Sequence, residues 1–98
     1  MHMNTITVKS LKQLLEQNAE VQLIDVREID EFEAGHIKEA KNIPLSELDQ
    51  HVSDFNKDDD YIIICRSGNR SGMACDYLEQ YDIKTTNVQG GMIEWARL

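Results

Sequence analysis

The chain has 98 residues and a formal net charge of −8, with 41% hydrophobic and 29% charged residues. One domain over residues 1–98 is expected, because a second hydrophobic core does not fit in that length. The acidic balance argues against nucleic acid as a partner, since neutralising phosphates takes clustered Lys and Arg. No apolar run approaches the roughly 20 residues that cross a bilayer, and no basic segment followed by an apolar one marks a signal peptide. A cytoplasmic protein without a membrane partner is therefore expected. Two cysteines, Cys65 and Cys75, are too few for a disulfide framework. No paired Cys or His spacing suggests a metal site.

In chain order, "TITV" (5–8) is β-branched and reads as a strand. Ser10, with Gln13 three residues on, reads as the N-cap of a helix whose inner face carries Leu11, Leu14 and Leu15. "VQLIDVR" (21–27) is a second strand. "EIDEFEAGH" (28–36) is a short helix with acidic residues at its positive end. "AKNIP" is a brief strand. Ser46 is positioned to cap a helix that turns Leu48, Val52 and Phe55 inward, and "NKDDD" reads as a solvated turn. "YIIIC" is continuously apolar, as in a strand covered on both faces. Met73, Ala74, Tyr77, Leu78 and Tyr81 stripe the next helix. "TTNVQ" and "MIEWARL" close the chain as strand and helix. Alternation of short strands and helices predicts an α/β domain around a mainly parallel sheet. In such sheets chemistry gathers beyond the C-terminal strand ends, where Cys65 and Asp25 fall.

The segment after "YIIIC" is the informative one. Cys65 is followed by Arg66, Ser67, Gly68, Asn69, Arg70 and Ser71, which are small, polar or basic and make poor core. A cysteine reacts as its thiolate, and helix N-termini or nearby cations lower its pKa from about 8.5 into the range of roughly 3.5–7.5. A helix starting near Ser71 supplies the first device; Arg66 and Arg70 supply the second. Glycine lets such a loop curl into a nest of amides aimed at one anion. Cys75, beside Ala74 in the helical stripe, reads as structural.

These residues resemble the single-domain rhodaneses. "CRSGNRS" (65–71) is similar to that family's active-site loop. "DVREIDEFEAGHIKEAKNIPL" (25–45) is similar to its upstream signature, and "GGMIEW" (90–95) to its closing G-G-x-x-x-W. One departure is Lys38-Glu39, where the family often has Pro-Gly. The resemblance implies a rhodanese-like α/β fold: a five-stranded, mainly parallel sheet flanked by helices on both faces. It implies sulfur transfer from a donor such as thiosulfate to cyanide, a thiol or a protein, through a persulfide on Cys65, with no cofactor. In the matching positions, Cys65 is the nucleophile, and residues Arg66 to Ser71 form the loop that binds substrate and persulfide. Asp25 and Arg27 match D-x-R and are read as support. Asp25 is expected to brace the loop and Arg27 to pair with a carboxylate such as Glu31. Arg66 is placed to meet an anionic donor, while Arg70 is alternatively structural. His36 belongs to a turn; Phe32 and Trp95 are expected as core aromatics.

Other readings stay open. A persulfide carrier, fed by a partner protein and slow with thiosulfate, keeps the same cysteine. A phosphatase or arsenate reductase on this architecture carries C-x5-R, whereas four residues separate Cys65 from Arg70. An inactive interaction module typically lacks the cysteine.

Overall fold

The computed structural model describes residues 4–17 and 20–98. Five strands are joined by helices: β1 (Asn4–Thr7), α1 (Val8–Glu16), β2 (Gln22–Asp25), α2 (Ile29–Glu33) and β3 (Lys41–Asn42) come first. Two 3-10 turns (Leu45–Gln50 and Val52–Asp54), β4 (Asp60–Ile64), α3 (Asn69–Glu79), β5 (Lys84–Gln89) and α4 (Gly91–Trp95) follow. The strands lie in the order β1-β5-β4-β2-β3. Every pairing is parallel, so the mainly parallel sheet expected from the alternation is here parallel throughout.

Strand periodicity divides the core into two layers. Tyr61 and Ile63 from β4, and Cys65 just beyond it, face the layer that also holds Ile24, Val26, Leu48, Phe55, Ala74, Cys75 and Leu78, under α3 and the 3-10 turns. Ile62 and Ile64 face the other layer, with Val8, Leu11, Leu23 and Val88 beneath α1 and α4, where Trp95 packs. Both faces of β4 are thus covered, which explains its unbroken apolar run. Cys65 is the first residue past this central strand, at the C-terminal edge of the sheet.

Several local expectations are corrected. The first helix starts at Val8 and is capped by Thr7, whose Oγ1 accepts from the Ser10 amide at 3.1 Å. Thr7 meets the same N-cap rule as Ser10 and is where the strand's extended backbone ends. The segment after Pro44 is two 3-10 turns, not an α-helix. Ser46 donates its hydroxyl to Glu28 Oε1 at 2.8 Å instead of capping it. On α3 the buried residues are Ser71, Ala74, Cys75 and Leu78, while Met73 and Tyr81 are exposed. The expected stripe was rotated, because the polar Ser71 faces inward toward the site. Phe32 is only half-buried. It stacks on His36 with ring centroids 3.7 Å apart, on the surface of the α2 turn rather than in the core.

Candidate active site

Cys65 is fully buried. Its loop is shaped from both ends. At the front, Gly68 takes φ +106° as the N-cap of α3, a conformation open to glycine. That turn aims the Gly68 amide at Cys65 Sγ, at 3.1 Å. The helix therefore starts at Asn69, two residues earlier than its expected onset, and carries Ser71 on its first turn with Oγ 3.2 Å from Sγ. At the back, α4 holds the carbonyls. Met92 N–H donates to Cys65 O at 2.9 Å and Ile93 N–H to Arg66 O at 3.0 Å. With these carbonyls turned outward to a helix N-terminus, the loop's amides are left for the sulfur.

The electrostatics follow. Burial pushes the Cys65 thiol up and is the largest single effect. The Ser71 hydroxyl and the amides of Ser71, Gly68 and Ser67 together outweigh it, so the thiol lies below its ordinary value. The stabilising set is thus three amides and one hydroxyl. Cys75 shows the converse. Burial, the main cause, raises its thiol, as suits a structural residue.

The arginines divide the labour differently from their spacing. Arg70 leans away from the sulfur and forms a two-pronged pair with Glu31, Nη1 to Oε1 at 2.6 Å and Nη2 to Oε2 at 2.9 Å. Arg27 does not pair with the Glu31 carboxylate. It grips Asp25 through Nε (3.1 Å to both oxygens) and Nη2 (2.8 Å), and reaches the carbonyls of Glu31 (3.3 Å) and Gly35 (2.8 Å). The expected partner was wrong because Asp25, two residues away and wholly buried, needs the cation more than the partly solvated Glu31 does. Asp25 accordingly braces the loop only at a distance: Asp25 holds Arg27, Arg27 holds the end of α2, and Glu31 on α2 holds Arg70. Arg66 is exposed and forms no ion pair among the described residues. It borders an open depression of about 340 Å³ with Arg27, Glu31, Ala34, Met92 and Ile93. Ser67 and Asn69 are exposed on the loop rim. His36 bonds Phe32 O through Nδ1 at 2.7 Å, consistent with a turn role.

One residue of the site was missed. Asn87 on β5 is buried, accepts from the Ser71 hydroxyl, and donates Nδ2 to Gly68 O at 3.1 Å. It stands on β5 opposite Ile63 of β4, a pairing that brings it beside the site.

Glu31 is held down to about 2, first by its hydrogen bonds to Arg70, against an ordinary value of 4.5. A depressed carboxylate contributes stability that is complete above the ordinary value and is lost as pH falls through the folded one. Glu31→Gln should therefore cost about 1 kcal/mol at pH 7 after allowance for solvent screening. In urea unfolding, that gap to the wild type should close as pH falls from 4.5 toward 2. A gap independent of pH would mean the pair adds no charge stabilisation.

Residues 7–98 match the Rhodanese-like domain family. The chain is 40% identical over 95 residues to YtwF of Bacillus subtilis, covering 97% of this chain and 92% of that protein. It is also 40% identical over 95 residues to a protein named sulfurtransferase from Allochromatium vinosum, covering 96% and 89%. The solved structure of a rhodanese-like domain protein from Staphylococcus aureus superposes with a TM-score of 0.91 at 40% identity, covering 95% of this chain and 91% of that one. The chain belongs to the rhodanese-like family, and its fold is the rhodanese-like α/β fold. Among the described residues, no helix is long and apolar enough to cross a membrane.

Proposed function

We propose that the chain is a sulfurtransferase in which Cys65 carries the transferred sulfur as a persulfide. The observation that carries this reading is a buried Cys65 sulfur that accepts from the Gly68 amide, lies 3.2 Å from the Ser71 hydroxyl, and has its acidity raised. The sulfurtransferase name of the Allochromatium vinosum relative supports it. The Cys65 thiolate attacks the outer sulfur of a donor such as thiosulfate. A Cys65–sulfur bond forms, the donor's sulfur–sulfur bond breaks, and sulfite leaves with the electron pair. The persulfide anion remains in the loop, facing amides already oriented toward negative charge. An acceptor nucleophile then attacks the outer sulfur and frees the Cys65 thiolate, so catalysis is covalent and two-step. Arg66, exposed and without an ion pair among the described residues, meets the anionic donor at the neighbouring depression. No metal or organic cofactor enters these steps.

A phosphatase reading is disfavoured by Arg70. Phosphoester chemistry on a cysteine loop needs its arginine turned onto the phosphate, and here both prongs are taken by Glu31. The test is an intact mass after incubation with thiosulfate in the absence of reductant. The expected result is the gain of one sulfur atom, removed again by cyanide. No gain with thiosulfate, but a gain from a persulfidated protein donor, would replace thiosulfate turnover by a carrier role. No gain from either would overturn the reading.

A further inference from the structure

The protons around Cys65 can be counted. Gly68 O is a carbonyl and only accepts, so the group of Asn87 that faces it at 3.1 Å is the NH2. That orientation turns Asn87 Oδ1, also only an acceptor, onto Ser71 Oγ. Ser71 has one proton. With Cys65 as a thiol, everything closes: S–H donates to Ser71 Oγ, and Ser71 O–H donates to Asn87 Oδ1. Consistent with this, no buried side-chain nitrogen or oxygen among the described residues lacks a partner. With Cys65 as a thiolate there is one acceptor too many. Sγ and Asn87 Oδ1 compete for the single Ser71 proton, and both are buried.

We propose that Asn87 is a positioning residue for Cys65: its Oδ1 accepts the hydrogen bond of the Ser71 hydroxyl whenever Sγ is uncharged and loses that bond to Sγ when the sulfur is an anion. Its meaning for catalysis rests on the sulfur-transfer reading above. In the thiolate the hydroxyl rotates to the sulfur and leaves Asn87 Oδ1 unpaired. As Sγ attacks a donor, its charge moves to the outer sulfur, and the hydroxyl rotates back to Asn87. Asn87 thus makes the thiolate less comfortable than the amides and hydroxyl alone would, and more willing to give up its electrons. A nucleophile's reactivity falls with its basicity, so a thiolate stabilised without limit would be inert. Among the described residues, no charged side chain is hydrogen-bonded to Cys65, Ser71 or Asn87. Arg70 is bound to Glu31, Arg27 to Asp25, burial raises the Cys75 thiol, and Arg66 is exposed.

The prediction runs against what a prop for the loop would do. In Asn87→Val the competing oxygen is gone, so the Ser71 proton has only the sulfur to serve. The backbone should hold. Gly68 O keeps its bond from the Gly72 amide at 3.1 Å, and valine suits a strand. The thiolate-to-thiol ratio should rise about tenfold, the scale of relieving one unmade buried bond. The measurement is iodoacetamide alkylation at Cys65 against pH, followed by peptide mass. The expected midpoint falls by about one pH unit, and the plateau rate falls about threefold. In a Ser71→Ala background the same substitution should leave the midpoint nearly unmoved. A midpoint that stays or rises in Asn87→Val, or falls equally without Ser71, overturns the proposal. Should Asn87→Val not fold, Asn87→Ala removes the same oxygen and is read the same way. Alkylation needs no sulfur donor, so this test fails or succeeds independently of sulfur transfer.

Discussion

Cys65→Ser is expected to reduce thiocyanate formation from thiosulfate and cyanide by at least about a thousandfold. The substitution is close to isosteric. A serine hydroxyl there still finds the Gly68 amide at the position of Sγ and the Ser71 hydroxyl beside it, so folding should survive. The chemistry does not. The loop's amides and hydroxyl lower a thiol that already ionises readily, but an alkanol is far less acidic and hydrogen bonds alone do not ionise it. Cys65→Ser should therefore also gain no sulfur in the intact-mass experiment. Residual turnover above about a hundredth would move the covalent step elsewhere. The first place to look would be Cys75, although its buried, raised thiol argues against it.

Gly91→Ala is the second large effect, and it is one of backbone contact. Gly91 has φ +51°, and a Cβ there would meet Cys65 O at 2.4 Å and both the carbonyl carbon and oxygen of Arg66 at 2.6 Å. These are backbone atoms of the sulfur loop, with no flexible side chain to give way. The two bonds that hold them, from Met92 N–H and Ile93 N–H, would have to lengthen together. A cost of about 2–4 kcal/mol follows from strain and lost bonds in a buried junction. For a domain of this size that is roughly 10–25 °C in Tm. The loop should also lose its alignment, so the alkylation midpoint of Cys65 should move up toward that of a free thiol. A variant with wild-type Tm and midpoint would mean that α4 does not shape the loop.

Much of this architecture was legible in local pattern. β-Branched and unbroken apolar runs marked the strands. The alternation with helical stripes pointed to a parallel sheet, because parallel strands need a helix to carry the chain back. The cysteine loop stood out because Arg66 to Ser71 are too polar and small for the core position its place after β4 would suggest. The errors were of two kinds. Thr7 against Ser10, and 3-10 turns against a helix after Pro44, are local: several side chains satisfy one capping rule, similar sequences suit both helix types, and only the path of the chain chooses.

The other kind concerns partners. Residue types announced that Asp25, Arg27, Glu31 and Arg70 would pair, but not who would pair with whom. Burial decided it: the wholly enclosed Asp25 took Arg27, and Glu31, left at the surface of α2, took Arg70. Asn87 was invisible for the same reason. Its amide lies 16 residues from Ser71 and 19 from Gly68 in the chain, and becomes part of the site only because β5 lies beside β4. Chain order carries the periodicities and the reactive loop. Which buried charge is neutralised, and which acceptor competes for a single proton, depends on distances that exist only once the sheet has assembled.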